Sequence, residues 1–135
     1  MALFLSSQHR TQLTDFARGA YPYECCGLLL GDGQQVLRLL PAKNVASDTR
    51  CNFEIDPAVL LSVQKAQRQG GLSLLGYYHS HPNGKAGPSM TDAKMASADG
   101  KYWLIIAQDE VTAWSASHKG KLFGRFDEVE IIFQG

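Results

Sequence analysis

The segment from His79 to Asp92 constrains this chain more than any other. Two histidines stand two positions apart in the sequence HSHP at 79–82, and Asp92 follows eleven residues after His81. The preceding run Gly-Tyr-Tyr is typical of the end of a strand, where residues i and i+2 point to the same face. We therefore expect His79 and His81 on one side, roughly 6.6 Å apart at about 3.3 Å per residue, and Ser80 on the other.

The residues after the histidines predict a loop and then a helix. Residues 82–88 contain two prolines and two glycines, which interrupt periodic structure. Ser89 is a suitable N-cap, and Asp92 falls at position N3, as in a capping box. The loop is long enough to bring Asp92 back to His79 and His81. Two imidazoles and one carboxylate would then form a three-ligand metal site with one open position, which distinguishes catalytic zinc sites from structural ones.

Each of these residues has an ordinary explanation when it is taken alone. A histidine on a strand usually packs or is solvated, and an aspartate near a helix start is usually a cap. The whole pattern, however, should arise by chance in about one chain of this length in 10⁵, from average residue usage. Ser89 has a second possible use, because its hydroxyl can donate a hydrogen bond to an oxyanion above the metal.

This constellation resembles the JAMM family of metallopeptidases, also called MPN+ or JAB. The pattern of that family is an upstream Glu, then His-x-His-Pro, and then Ser and Asp at the spacing seen here. The resemblance extends over about residues 24–92, through three further segments: Glu24-Cys25-Cys26-Gly27-Leu28-Leu29-Leu30-Gly31, Asn44-Val45-Ala46 and Phe53-Glu54-Ile55-Asp56.

The resemblance implies a fold, a metal and a reaction. The fold is α/β, with a mixed, curved β-sheet and about three helices in a cytidine-deaminase-like α-β-α architecture. One zinc ion is held by His79, His81 and Asp92, Glu24 is the general acid/base, and Ser89 steadies the tetrahedral intermediate. The substrate is a peptide or isopeptide bond after the C-terminal glycine of a ubiquitin-like protein. In short members, the partner can be a sulfur-carrier protein that ends in Gly-Gly.

Without that resemblance, the residues alone do not single out the acid/base. Glu24 precedes a buried strand, where desolvation would raise its pKa. On the same grounds Glu54, Asp48 and Asp56 remain alternatives. The tail of the substrate is expected to enter extended, by strand addition at an exposed sheet edge.

Length and composition set limits on the class of protein. The 135 residues predict one domain over 1–135. The 13 basic and 13 acidic residues give no net charge, and no Lys/Arg cluster suggests nucleic-acid binding. No apolar run approaches the ~20 residues that span a membrane, and the apolar start is too short for a signal peptide. Three cysteines, two of them adjacent, do not suggest a disulfide framework, so a cytoplasmic location is expected.

Periodicity and turn residues predict three helices and several strands. The helices run from Ser6 or Ser7 to Ala20, from Pro57 to near Gly70, and over Met90–Ala98. The strands are 26–30, 34–40, 52–55, 72–78, 102–107 and 111–117, followed by 121–126 and 129–133 as two strands or as one with a bulge.

Other functions fit the sequence less well than hydrolysis. A non-catalytic MPN-type binding or scaffold module is the main alternative, although every expected ligand is present. A zinc deaminase needs His-x-Glu and Pro-Cys-x-x-Cys, and a gluzincin needs His-Glu-x-x-His; the sequence contains neither. The neutral charge disfavours a DNA-repair relative of the family. Oligomeric state is left open.

Overall fold

The computed structural model describes residues 2–135, which form seven strands and three helices. Bounds of the strands are β1 Ala2–Ser6, β2 Cys26–Asp32, β3 Gln35–Ala42, β4 Ser73–Ser80, β5 Tyr102–Ala107, β6 Glu110–Ala116 and β7 Phe126–Gln134. Bounds of the helices are α1 Ser7–Ala20, α2 Pro57–Arg68 and α3 Met90–Met95.

The strands close into a barrel in the order β1-β3-β2-β4-β5-β6-β7. β1 is parallel to both of its neighbours, β4 is parallel to β5, and the other pairs are antiparallel. The prediction of a mixed sheet with three helices is confirmed. The sequence did not predict that the curved sheet closes into a barrel, which it does because β1 pairs with both β3 and β7. β1 forms five registered pairs with β7 but only one with β3, between Phe4 and Gln35.

The helices pack on both faces of the central strands. Leu13 of α1 is fully buried and belongs to the same apolar cluster as Leu29 and Tyr78. On the opposite face of β2, Leu28 clusters with Val63 of α2, and α3 packs on this second face through Ala93, which clusters with Cys26. The α-β-α layering implied by the family resemblance is therefore present around β2.

The starts of the helices follow from their capping residues. Ser6 is the N-cap of α1, and its side chain accepts a hydrogen bond from the His9 amide. Asp56 caps α2 by accepting from the Ala58 amide, and Pro57 occupies the first turn, as expected from the sequence. The third helix is shorter than predicted, because Ala96 already has an extended backbone at ψ 131.

Two of the predicted strands do not form. The segment 52–55 contributes a single bridge, between Asn44 and Ile55. The segment 121–126 is interrupted by Phe123 and Gly124, which have positive φ angles of 55° and 67° and therefore form a turn. One strand, β7, lies where the sequence predicted either two strands or one strand with a bulge.

The register of the central strands brings the predicted site residues to one end of the barrel. Cys26, the first residue of β2, is the Cα partner of His79 near the end of β4. Glu24 therefore precedes β2 at the end where His79 lies. β4 also pairs closely with β5, since a Cβ on Gly76 would lie 1.9 Å from the Tyr102 carbonyl oxygen. No described helix is long and apolar enough to span a lipid bilayer.

Candidate metal centre

Three polar atoms meet at the end of β4. The Nε2 atoms of His79 and His81 are 3.0 Å apart, and Asp92 Oδ2 lies 3.2 Å from the first and 3.1 Å from the second. Ligands of a tetrahedral zinc ion, at about 2.0–2.1 Å from the metal, stand about 3.3 Å from one another. The triangle therefore has the dimensions of one face of a tetrahedral site.

The protons available to this triangle are too few for it to be a hydrogen-bonded cluster. His81 Nδ1 lies 2.8 Å from the Lys85 carbonyl oxygen and so carries the proton of the neutral ring, which leaves Nε2 as a lone pair. With both rings neutral, at most one hydrogen then lies among the three atoms, whichever tautomer His79 adopts. A cation would remove the repulsion that remains between the lone pairs of these three atoms, so the donor set fits a metal ion.

The electrostatics of the three side chains keep Asp92 charged and act differently on the two imidazoles. Burial lowers the pKa of His79, which is fully enclosed, although Asp92 opposes this. Burial also acts to lower the pKa of His81, but Asp92 and the Lys85 carbonyl outweigh it, and the net shift is upward. For Asp92, burial would raise the pKa, but its contacts with His79, His81 and the Ser89 amide hold it well below its usual range.

Asp92 is fixed by the start of α3. Its backbone amide donates to Ser89 Oγ at 3.0 Å, and its Oδ2 accepts from the Ser89 amide at 2.9 Å. This is the reciprocal capping box that the sequence predicts. Ser89 Oγ acts as an acceptor in this bond, so its own O–H group is available as a donor.

Glu24 lies beside the triangle. Its side chain is 5% exposed, and its Oε1 atom has no hydrogen-bond partner among the described residues. One carboxyl oxygen of Glu24 and one ring nitrogen each of His79 and His81 lie within 4.8 Å of one another. Burial raises the pKa of Glu24 to about 7, the charges of Asp92 and Asp48 add to this, and His81 opposes it.

The other candidate acids are placed differently. Glu54 is exposed, and Asp56 caps α2. Asp48 is also exposed and accepts from the Arg50 amide. The structure thus brings Glu24, rather than Glu54 or Asp56, to the two histidines.

A small cleft gives access to the centre. It has a volume of about 120 Å³ and is lined by Glu24, Arg50, Cys51, His81, Pro82, Asn83 and Ser89. Sequence reasoning did not predict that Arg50, Cys51 and Asn83 line the site. These residues come from two loops, and no periodic pattern places such residues.

The sequence also did not predict the two aromatic side chains that pack against His79 at the candidate metal centre. The ring of Phe53 stacks on His79 with centroids 4.2 Å apart, and Trp103 meets His79 edge-on at 5.6 Å. The sequence contained a partial signal, since Phe53 belongs to a segment that resembles the family. The stacking orients the His79 ring, whose Nδ1 atom has no hydrogen-bond partner among the described residues.

Comparison with known proteins identifies relatives along most of the chain. The desampylase of Haloferax volcanii is 36% identical over 113 residues, which cover 79% of this chain and 81% of that protein. The probable TtuB-protein conjugate cleaving protease of Thermus thermophilus is 41% identical over 93 residues, which cover 69% of this chain and 62% of that relative.

Solved structures show the same fold. A protein of Desulfitobacterium hafniense superimposes with a TM-score of 0.82 at 31% identity, covering 99% of this chain and 93% of that one. A JAB1/MPN domain protein of Archaeoglobus fulgidus gives a TM-score of 0.59 at 19% identity, with 96% of each chain covered. The second likeness concerns the fold alone.

A family model places the chain among these proteins. The model for prokaryotic homologues of the JAB domain matches residues 6–117, which include every predicted site residue. The resemblance to the JAMM family is therefore confirmed. The chain belongs to the prokaryotic JAB-domain homologues of the JAMM/MPN family.

Proposed function

We propose that this protein is a zinc peptidase that hydrolyses the bond after the C-terminal glycine of a ubiquitin-like or sulfur-carrier protein. The observation that carries the proposal is the triangle of His79, His81 and Asp92, with the buried carboxyl of Glu24 beside it. The names of the relatives, a desampylase and a protease that cleaves TtuB-protein conjugates, support a protein conjugate as substrate.

The side chains divide the reaction between them. One zinc ion, held by His79, His81 and Asp92, would supply Lewis acidity at the scissile carbonyl. Glu24 takes the proton of the attacking water and returns one to the departing amine, and a pKa of about 7 suits both transfers. The Ser89 hydroxyl donates to the oxyanion as it develops.

The size of the cleft favours a glycine tail. Its volume is about 120 Å³, and Arg50, Cys51 and Asn83 are among the residues that line it. A Gly-Gly segment passes such a channel in an extended form, whereas larger side chains would clash. Specificity for a tail of this kind explains how one site can act on conjugates that differ in the leaving group, whether the bond is a linear peptide or a lysine isopeptide.

Ser89→Ala separates the two roles of the serine. If the hydroxyl donates to the oxyanion, kcat should fall by about 10²–10³-fold. Loss of the N-cap alone costs about 1 kcal/mol of stability and leaves kcat nearly unchanged. Steady-state kinetics and thermal unfolding on the same preparation measure both. A variant with lower stability and normal kcat would show that Ser89 acts only as the N-cap of α3.

Hydrolysis is tested with a small ubiquitin-like protein that ends in Gly-Gly. One form is fused to a peptide after the last glycine, and the other is joined there to a lysine side chain. Mass spectrometry should detect a product that ends in Gly-Gly, in the presence of zinc and not after chelation. The matched control is the same substrate with Ala-Ala in place of Gly-Gly, which should be cut far more slowly.

The same experiment tests the scaffold alternative. A protein that binds one zinc ion per chain but cuts neither form of the substrate would contradict the proposal and favour a non-catalytic module. One domain over residues 1–135, a cytoplasmic location and the absence of nucleic-acid or membrane binding stay predictions.

A further inference from the structure

The position of the Glu24 carboxylate depends on its backbone. Residues 21–25 lie between α1 and β2, outside helices and strands, and Glu24 Oε1 has no hydrogen-bond partner among the described residues. Where no partner holds that oxygen, the main chain has a larger part in positioning the carboxyl group. The contacts of the Glu24 peptide groups fix the point from which the side chain extends toward the histidines.

Three hydrogen bonds anchor this main chain. The Glu24 amide donates to the Thr49 carbonyl at 2.6 Å, and the Glu24 carbonyl accepts from Asn44 Nδ2 at 3.0 Å. The amide of the next residue, Cys25, donates to Ser80 Oγ at 2.9 Å. Two side chains, Asn44 and Ser80, thus hold the backbone on either side of the peptide bond that follows Glu24.

Asn44 uses its whole amide group in this region. Nδ2 donates to the carbonyls of Glu24 and Asn52, both at 3.0 Å. Oδ1 accepts from the amides of Ala46 and Glu54, both at 3.1 Å. An asparagine side chain has two N–H donors and one oxygen with two lone pairs, so all of its hydrogen-bonding capacity is used. It connects Glu24 to the loop 44–54, whose Phe53 stacks on His79.

We propose that Asn44 is a positioning residue of the hydrolytic site, and that its amide holds the Glu24 carbonyl so that the carboxylate faces the metal ligands. The inference rests on the proposed function, because it requires that Glu24 is the general acid/base. Asn44 does not line the cleft, so it acts through Glu24 and not by touching the substrate.

The experiment compares two variants of Asn44 with one control. Asn44→Ala removes all four bonds, whereas Asn44→Asp keeps the acceptor for Ala46 and Glu54 and removes the donors to Glu24 and Asn52. Gln67→Ala is the control, because it also removes a side-chain bond to backbone, from the Leu74 amide at 3.1 Å, between α2 and β4. Each variant is assayed with zinc at a temperature where unfolding measurements show it folded.

Both Asn44 variants should lower kcat by about 10²-fold, the effect of misplacing a reacting group by about 1 Å. KM and zinc content should stay close to those of the parent protein. Gln67→Ala should lose stability and keep its kcat. A purely structural role for Asn44 predicts that its variants behave like Gln67→Ala, and that result would overturn the proposal. If Asn44→Ala does not fold, Asn44→Asp decides alone.

A double variant shows whether Asn44 acts through Glu24. Glu24→Gln combined with Asn44→Asp should be no slower than Glu24→Gln alone, because residues that act through one group are not additive. A further loss of rate in the double variant would contradict the inference. Full activity of Glu24→Gln would contradict the proposed role of Glu24 itself. An inactive Glu24→Gln together with fully active Asn44 variants would contradict only the inference about Asn44.

Discussion

Glu24→Gln should lower turnover by orders of magnitude and leave the metal site intact. The amide is nearly isosteric with the carboxyl group but cannot accept the proton of the attacking water. General acid–base catalysis contributes about 10²–10⁴-fold, and a loss in this range is expected in kcat. Glu24 is outside the triangle formed by His79, His81 and Asp92, so zinc content measured by metal analysis should remain at one ion per chain.

Glu54→Gln is the matched control for this variant. It makes the same chemical change at an exposed glutamate and should keep the activity of the parent protein. Full activity of Glu24→Gln would show that another group moves the proton. Loss of zinc from Glu24→Gln would instead mean that Glu24 is a ligand, as its closeness to the two histidines permits.

The same substitution should change stability in a pH-dependent way when the protein is free of metal. Burial raises the pKa of Glu24 to about 7, so the folded state prefers the protonated form. The stabilisation is complete below the ordinary value of 4.5 and is lost as the pH rises through about 7. Glu24→Gln should therefore be more stable than the parent at pH 8, by about 2 kcal/mol after solvent screening. The difference should vanish at pH 4 in denaturant unfolding experiments.

Asp92→Asn should release the metal and so remove activity. The substitution replaces the one anionic member of the proposed ligand set with a neutral amide, which cannot offer the same negative charge to a cation. Changes to groups that only support a ligand cost about 10–100-fold in metal affinity, and loss of a ligand should exceed that range. Zinc affinity is measured by competition with a chromophoric chelator, and hydrolysis is followed in parallel.

Asp56→Asn provides the comparison. Asp56 caps α2, and asparagine caps helices about as well as aspartate, so both stability and zinc affinity should be retained. Unchanged zinc affinity in Asp92→Asn would remove Asp92 from the ligand set and leave the site with the two histidines and Glu24. Added zinc in excess should restore part of the activity if affinity alone has been lost.

Local signals in the sequence predicted much of the fold, and the largest error lies where pairing is distant. The bounds of β5 are as predicted, because a continuous apolar run marks a buried strand. β1 was missed, since its five residues read as an apolar start and their partners are β3 and β7. The barrel closes only through those distant contacts, and its closure was therefore not predicted. The strand predicted at 121–126 failed for a local reason, the positive φ of Phe123.

The site was predictable where its spacing is short. His79 and His81 share a strand end, and Ser89 and Asp92 share a helix start, so their relative positions follow from secondary structure. Glu24 could not be distinguished from other acids by such reasoning, because the register between β2 and β4 brings it to the histidines. Asn44 carries no signal in the sequence beyond its place in a family segment, because its four hydrogen bonds depend on loop conformation.

The edge-on packing of Trp103 against His79 has a practical consequence. The two rings have centroids 5.6 Å apart, and Trp103 is only 4% exposed. A cation on the imidazole changes the electric field at the indole, and indole fluorescence is sensitive to that field. The intrinsic emission of this protein should therefore report metal occupancy directly, and a Trp114→Phe background would isolate the signal of the single buried indole.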